Sequence, residues 1–379
     1  MKKIEFHKHN ISSKDIANLT GVLNTVFLST GDTVTEFEEK LARYLGCEYV
    51  VGVTSCTAAL HLSLLAYGIG PGDEVITTPM TFIATANAVI HTGAKPVFVD
   101  AEPETANINA NLIEKAVTPK TKAILPVHLY GQMCDMKKIK KIADKHNLVI
   151  IEDAAHTIEA NRDGIKPGQL GNAACYSFYP TKSITSGEGG AVSLHDEETA
   201  EKLKMLRNHG MSKGASERYS KRYEHWDMEL LGWKYNMFNI QAALLLNQLE
   251  NIDSFWQRRD EICQRYEAAF KDLPGITCLK IMPGSKSARL MFTILVPPQR
   301  RDEIMWQLQE KGIGVAVNFR AIHLLTYFSS TYGYKRGMFP AAERIGDSTI
   351  SLPLYPRLTE EEVEYIIRTV KEVAGGNKA

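Results

Sequence analysis

Lys182 is the residue of this sequence best placed to react with a carbonyl compound. It lies in a loop rich in Ser, Thr and Gly that follows a short apolar run, Ala173 to Phe178, and a proline. Ser177, at the end of that run, offers a hydroxyl to an anion, and three glycines let the backbone close around a bulky group: Gly187, Gly189 and Gly190. Most loop lysines are solvated surface charges. If burial or a neighbouring cation lowers its pKa, however, Lys182 can form a Schiff base with a carbonyl group.

A second candidate is the segment Thr54-Ser55-Cys56-Thr57-Ala58, which follows an apolar run and opens a helix. The first N–H groups of a helix lack partners inside it, and the helix dipole favours an anion there, so this segment can bind a phosphate. Ser and Thr are also the preferred helix caps, and a cap without a ligand is the alternative.

A third candidate is the strand-like run VIIED, which ends in Asp153 and is followed by His156. Burying a carboxylate is costly unless a cation or a hydrogen-bond donor meets it, and a protonated ring nitrogen would do so. The alternative is that Asp153 caps a following helix. Phe82, after another strand-like run, can stack on a ring or simply pack in the core. A phosphate site, a buried carboxylate, a stacking aromatic and a lysine together are what pyridoxal phosphate requires of a protein.

Apolar runs of strand length position these candidates, and helical stretches separate most of them. Continuous apolar runs indicate burial on both faces, as in the βαβ units of a parallel sheet, and ligands of such α/β sheets bind at the carboxyl ends of the strands. The sequence therefore predicts an open, mostly parallel sheet of about seven strands. The predicted strands are Tyr49–Val53, Glu74–Thr78, Pro96–Asp100, Ala123–Val127, Leu148–Glu152, Ala173–Phe178 and Gly190–Leu194.

The rest of the chain predicts two domains, a large one over residues 1–252 and a smaller α+β domain over 253–379. The large domain begins with a helix over 12–28 and ends with a long apolar helix, Phe238–Ile252, after an irregular, basic and aromatic stretch at 208–236. Such a long irregular stretch is usually functional or part of an interface. The smaller domain is predicted to contain strands Leu290–Val296 and Gly314–Phe319 and helices Arg301–Lys311 and Thr359–Ala374.

Composition narrows the class of protein further. The 379 residues include 44 acidic and 44 basic ones, so no net charge favours nucleic acid or a membrane surface. The six cysteines form no CxxC pair, which indicates reduced thiols without a structural metal. No signal peptide or membrane span is apparent, and we expect a soluble cytoplasmic protein. A nicotinamide dehydrogenase is disfavoured because no GxGxxG follows the first strand.

The chain resembles the DegT/DnrJ/EryC1/StrS family of sugar aminotransferases, nearly from end to end. The resemblance implies the aspartate-aminotransferase (type I) fold, pyridoxal phosphate and a homodimer. It is carried by TGDTVTEFEEKLARYLG, TSCTAALHLSLLAYGIGPGDEVITTPMTFIATANAV, PVFVDAEPETANI, ILPVHLYGQMCDM, VIIEDAAHTIEA, SFYPTKSITSGEGGAV, GWKYNMFNIQAALLLNQL and ISLPLYPRLTEEEV.

The resemblance also implies roles at matching positions. Lys182 would be the Schiff-base lysine and proton shuttle, Asp153 the partner of the pyridine nitrogen, and His156 a neighbour of the ring hydroxyl. Asn236 would reach the phosphate of the neighbouring subunit. Phe82 would lie on the ring face, and the phosphate would be held by Ser55, Cys56, Thr57, Ala58 and Ser177. Cys56 departs from the small Gly or Ala of many relatives.

The motifs GEGG and VNFRAIH resemble those of enzymes that aminate 4-keto sugars, the second that of the 4-amino-arabinose pathway aminotransferase. They favour a UDP-linked 4-keto sugar, glutamate as donor and a role in polysaccharide or lipopolysaccharide biosynthesis. Arg320 and His323 would then lie near the substrate, although a surface charge and a packed histidine are the alternatives. The other substrates considered are dTDP- or GDP-linked 3-keto or 4-keto sugars. A catalytically silent binding paralogue is disfavoured because the lysine, aspartate and serine are all retained.

Overall fold

The computed structural model describes residues 3–213 and 225–375, and its largest element is a seven-stranded sheet. The strand order is β1-β8-β7-β5-β4-β2-β3, with β8 antiparallel to both neighbours and the other pairs parallel. This confirms the predicted α/β class. The strands of this sheet are β1 Tyr49–Val53, β2 Glu74–Thr77, β3 Lys95–Phe98, β4 Thr121–Ile124, β5 Val149–Asp153, β7 Ala173–Ser177 and β8 Gly190–Leu194.

Helices cover both faces of the sheet, which explains why its strands are continuous apolar runs. One side packs Leu60, Val75, Ile151 and Val192 into one core, and other strand residues pack into separate clusters. The helices are Ser13–Leu23, Asp32–Leu45, Cys56–Ala66, Ile83–His91, Ala110–Ile113, Met136–His146, Glu197–Leu206, Asn239–Glu250, Ile252–Phe270, Arg301–Glu310, Thr326–Tyr332, Pro340–Ser348 and Glu360–Gly375.

A second core lies around the three-stranded antiparallel sheet β12-β11-β9. Its strands are β9 Thr277–Cys278, β11 Phe292–Leu295 and β12 Thr349–Leu352, and a separate pair joins β6 Asn161–Arg162 to β10 Ser285–Lys286. Ile4 is also buried in this core. Its N–H donates to the Gly312 carbonyl and its carbonyl accepts from the Gly314 N–H, both at 2.8 Å. The N-terminal residues therefore pack with the C-terminal part of the chain, and the division at residue 252 stays a prediction.

Three predicted elements differ in the structure. The segment Gly314–Phe319 is not a strand: its isolated bridge joins Ala316 to Ser351, and the residue before it, Ile313, bridges to Ile4. The first helix ends at Leu23 rather than at residue 28. In the stretch 208–236, residues 214–224 lie outside the described part of the chain, and the flanking residues pair through bridges such as Asn208 to Lys234. None of the helices within 3–213 and 225–375 is sufficiently long and apolar to cross a membrane.

Candidate active site

A cavity of about 470 Å³ lies at the carboxyl ends of the parallel strands, as the sheet rule predicts. It brings together most of the residues singled out in the sequence. Those that line it are Ser55, Cys56, Thr57, Phe82, Asp153, His156, Ser177 and Lys182. Ala58 is buried one residue behind this lining, and Asn236, Arg320 and His323 do not belong to it.

Lys182 lies in the loop that joins β7 to β8, where its backbone N–H donates to the Tyr179 carbonyl at 2.9 Å. This connection contains no helix, which is why β8 runs antiparallel: a parallel neighbour would need a crossover. Burial lowers the pKa of Lys182 from 10.5 to about 8, and the negative charge of Asp153 opposes that shift. Near neutral pH, roughly one protein molecule in ten therefore carries Lys182 as a free, nucleophilic amine.

The helix Cys56–Ala66 begins at the edge of the cavity. Ser55 caps it by accepting from the Ala58 N–H at 3.1 Å, and the Ser55 carbonyl accepts from the Ala59 N–H at 3.0 Å. Within the described residues, the N–H groups of Cys56 and Thr57 are left without a partner in the chain. Two free donors at the positive end of a helix form a phosphate site.

Gly190 is required by close packing rather than by a ligand. A Cβ at this position would lie 2.4 Å from the backbone carbon of Ser55 and 2.6 Å from the N of Cys56. The first residue of β8 therefore packs directly against the start of the helix Cys56–Ala66. This corrects the sequence-based interpretation of Gly190 as room for a bulky group.

Asp153 ends β5 with its carboxylate held from one side. Thr85 Oγ1 donates to Oδ2 at 2.8 Å, and the Ala155 N–H donates to Oδ1 at 3.2 Å. Burial raises the pKa of Asp153, while the hydrogen bond from Thr85 opposes that shift. A buried carboxylate with fixed orientation is suited to pair with a protonated ring nitrogen.

His156 lies in the cavity with a defined tautomer. Its Nδ1 accepts from the Tyr130 N–H at 3.2 Å, so the proton of the neutral ring is assigned to Nε2. Burial, followed by the charge of Lys182, holds the pKa of His156 well below its usual range. The Nε2–H is therefore a neutral hydrogen-bond donor.

Aromatic rings form one wall of the cavity. The ring centroids of Phe82 and Phe319 are 5.5 Å apart, and Phe319 stacks on His156 at 6.1 Å. Phe82 is 54% exposed, so its ring is not a packed core side chain. Its face is available to a planar ligand.

Two residues that orient cavity side chains were not identified from the sequence: Thr85, which lines the cavity, and Tyr130, which does not. Thr85 holds Asp153, and Tyr130 orients His156 from a backbone with a φ of 57° that non-glycine residues rarely adopt. Asn318, Phe319 and Glu188 also line the cavity. Thr85 lies three positions after Phe82, which places both at the first turn of one helix and was a usable signal; Tyr130 had none.

The other predicted residues lie elsewhere. Asn236 is buried, and its Nδ2 donates to Ser29 Oγ at 3.3 Å and to Thr30 Oγ1 at 2.8 Å. Arg320 is exposed to solvent. His323 is fully buried, with Nε2 3.1 Å from Glu343 Oε1 and its ring 4.8 Å from that of Phe339. Substrate roles for Arg320 and His323 stay predictions.

The cavity fits pyridoxal phosphate. It offers two free helix N–H groups for a phosphate, a buried carboxylate for a ring nitrogen, an oriented donor for a ring oxygen, an exposed aromatic face and a reactive lysine. The fold and this site define a pyridoxal-phosphate-dependent aminotransferase.

Comparison with known proteins gives the family. The model of the DegT/DnrJ/EryC1/StrS aminotransferase family matches residues 9–371, and the chain belongs to this family of sugar aminotransferases. It is 42% identical to the spore coat polysaccharide biosynthesis protein SpsC of Bacillus subtilis (strain 168) over 97% of this chain and 96% of that protein. It is 37% identical to GDP-perosamine synthase of Caulobacter vibrioides over 93% of each chain.

Solved structures agree with this assignment. The PMP form of Spr1654 from Streptococcus pneumoniae matches with a TM-score of 0.93 and 31% identity, over 98% of this chain and 99% of that chain. The PLP form of the same protein matches with a TM-score of 0.92. The predicted family, fold and cofactor are thereby confirmed.

Proposed function

We propose that this sugar aminotransferase moves an amino group from glutamate to a UDP-linked 4-keto sugar. The observation that carries the proposal is that both substrate-indicating motifs contribute to the cavity. GEGG supplies Glu188, and VNFRAIH supplies Asn318 and Phe319. We infer that side chains at these positions contact the sugar, and on that inference the resemblance of the two motifs to 4-keto enzymes supports a 4-keto substrate.

The chain's own groups have separate tasks in this reaction. When bound, pyridoxal phosphate supplies an electron sink that stabilises negative charge on the substrate carbon. The N–H groups of Cys56 and Thr57 would hold its phosphate, and Asp153 would keep its ring nitrogen protonated. His156 would donate its Nε2–H to the ring oxygen, and Phe82 would pack on the ring face.

Lys182 moves the proton. Its Nζ would take a proton from the α-carbon of glutamate and deliver it to the cofactor. With the keto sugar, the same amine would move a proton in the opposite direction, from the cofactor to the sugar carbon. With a pKa of about 8, the amine is basic enough to accept this proton and weak enough to release it near neutral pH.

We propose that each site is completed by a second copy of the chain in a homodimer. Among the described lining residues, Lys182 is the one lysine and there is no arginine, whereas the cofactor, the donor and the nucleotide all carry anionic groups. Asn236 lies outside its own chain's cavity, and its Oδ1 is buried without a hydrogen-bond partner in the described part of the chain. The first feature and the family resemblance support Asn236 as a contact for the partner's phosphate. The donor would be Nδ2, because the amide oxygen and the phosphate oxygens are both acceptors.

Mixing two inactive variants tests the shared site. If Lys182→Ala and Asn236→Ala subunits form random dimers, half of the dimers are mixed, and each mixed dimer has one intact site. Activity should then return to roughly a quarter of the wild-type value. No recovery, despite subunit exchange shown by mass spectrometry, contradicts a site that draws Asn236 from the partner.

A GDP-linked sugar is the second candidate, since the chain is 37% identical to GDP-perosamine synthase. Its similarity to SpsC, at 42% identity, supports a product used in polysaccharide biosynthesis. The test measures turnover of the pyridoxamine phosphate form of the enzyme with UDP-, GDP- and dTDP-linked 4-keto and 3-keto sugars. Fastest turnover with a UDP-linked 4-keto sugar is expected, and preference for another nucleotide or keto position overturns this assignment.

Borohydride reduction tests the role of Lys182. The cofactor-loaded protein should give a covalent adduct on the peptide containing Lys182, and Lys182→Ala should bind the cofactor only noncovalently and lose the glutamate half-reaction. An adduct on a different lysine would refute the assignment.

A further inference from the structure

Buried polar side chains outside the cavity lining form hydrogen bonds to the loop that contains Lys182. Ser183 Oγ donates to Glu159 Oε2 at 3.0 Å, and Glu159 Oε1 is paired with an Arg259 guanidinium nitrogen at 2.5 Å. All three residues are at least nine-tenths buried. We propose that Glu159, Arg259 and Ser183 are positioning residues that fix Lys182 for reaction, an inference that rests on the proposed role of Lys182.

The backbone around Lys182 needs such support because it lies outside the sheet ladder. Within the loop, the backbone N–H of Lys182 donates to the Tyr179 carbonyl, and most of the other internal hydrogen bonds involve residues 185–189 rather than Lys182 or Ser183. Its other ties reach distant elements. Gln248 clamps Thr185 from both sides, accepting from its N–H at 3.0 Å and donating to its carbonyl at 2.8 Å.

The Glu159–Arg259 pair gives the tether a fixed direction. Arg259 also donates from Nε to the Arg289 carbonyl at 3.0 Å, so its planar guanidinium has one available orientation. Burial raises the pKa of Glu159, and the charge of Arg259 opposes that shift. Buried ion pairs contribute little net stability but do specify geometry.

Arg259 also connects Lys182 to the second core. It projects from the helix Ile252–Phe270, whose Ile262, Cys263, Tyr266 and Phe270 are buried in that core. No residue separates the tether from Lys182, because Ser183 directly follows it in the chain. A rotation of this helix would therefore shift the position of Lys182.

The test variant is Ser183→Ala, which removes the tether and leaves the ion pair intact. The control is Ser351→Ala, a fully buried serine whose hydroxyl lies 3.1 Å from Thr293 Oγ1 in the three-stranded sheet. The readout is the rate at which apoprotein forms the borohydride-trappable adduct with pyridoxal phosphate. We expect Ser183→Ala to slow it about tenfold, Ser183→Thr to restore most of it, and Ser351→Ala to leave it unchanged.

A double-mutant comparison shows whether the effect acts through Lys182. In the Lys182→Ala background, adding Ser183→Ala should not change the noncovalent affinity for pyridoxal phosphate. Weaker cofactor binding in that background, or equal adduct rates for Ser183→Ala and Ser351→Ala, overturns the positioning role. An adduct that persists in Lys182→Ala overturns instead the proposed function. If Ser183→Ala does not fold, Ser183→Cys, with its weaker donor, is measured in its place.

Discussion

Raising the pH should convert Lys182 from an ammonium ion into a reactive amine with a midpoint near pH 8. Burial lowers its pKa from 10.5 to about 8. An amine with a pKa of 10.5 is free in roughly one molecule in 3,000 at pH 7, whereas a pKa of about 8 leaves roughly one in ten free. The cavity therefore supplies about 300 times more free amine at neutral pH than an ordinary lysine would.

Stopped-flow mixing of apoprotein with pyridoxal phosphate between pH 6 and pH 10 measures this directly. The absorbance change reports adduct formation, and borohydride trapping with peptide mass analysis assigns it to Lys182. The rate constant should rise with pH, because only the deprotonated amine adds to a carbonyl, and should level off above about pH 9. Lys182→Ala gives the baseline from all other lysines.

A midpoint near 10.5 would refute the reasoning, since Lys182 would then behave as a solvated lysine and the cavity would contribute nothing to its reactivity. A rate independent of pH would show that a step other than addition of the amine is limiting.

Two substitutions probe the surroundings of Lys182. Asp153→Asn removes a negative charge that, after Cys56, raises the pKa of Lys182, so the midpoint of the same titration should move below 8. The glutamate half-reaction should slow by about 10- to 100-fold through loss of a charge-assisted hydrogen bond. An unchanged midpoint contradicts the electrostatic effect of Asp153 on Lys182. Gly190→Ala places a Cβ 2.4 Å from the Ser55 backbone and should lower the free energy of unfolding by roughly 1–3 kcal/mol in denaturant titrations. Gly21→Ala, in a helix with nothing within 4 Å, is its control and should stabilise by about 1 kcal/mol.

The sheet was predictable because its strands are buried on both faces. β1 and β8 agree with the prediction residue for residue, since their apolar runs are bounded by polar or glycine positions. The direction of β8 was equally implicit in the sequence. The connection after β7 contains no helical stretch, and a parallel pair requires a crossover.

The segment Gly314–Phe319 shows where a local pattern fails. Its apolar and β-branched residues have strand character, but a strand requires neighbours along its length. Here one end of the segment meets Ile4 and Ala316 meets Ser351, and the remainder becomes the cavity wall at Asn318 and Phe319. Propensity describes a residue's suitability for a sheet and does not determine whether a partner strand is present.

The sequence predicted which side chains meet in the cavity, and their reactive roles stay predictions, whereas the groups that orient them were not predicted. Lys182, Asp153 and His156 follow strand carboxyl ends, where the sheet rule places ligands. Their orientation depends on contacts between distant segments, such as Tyr130 N–H to His156 and Thr85 to Asp153. The spacing from Phe82 indicates where Thr85 lies on its helix, but no spacing in the sequence indicates that Thr85 contacts Asp153 or that Tyr130 contacts His156.

The cavity belongs to both cores, and this has a consequence for how the enzyme responds to substrate. The large sheet supplies the reacting groups, while Phe6, Met291 and Phe319 enter from segments anchored in or beside the second core. Arg259 joins that core to the loop of Lys182 through Glu159. A ligand that contacts cavity residues from both cores binds most tightly when the two cores have the correct relative position. That relative position also sets where the Lys182 amine lies. We therefore expect substrate binding and the alignment of Lys182 to be coupled.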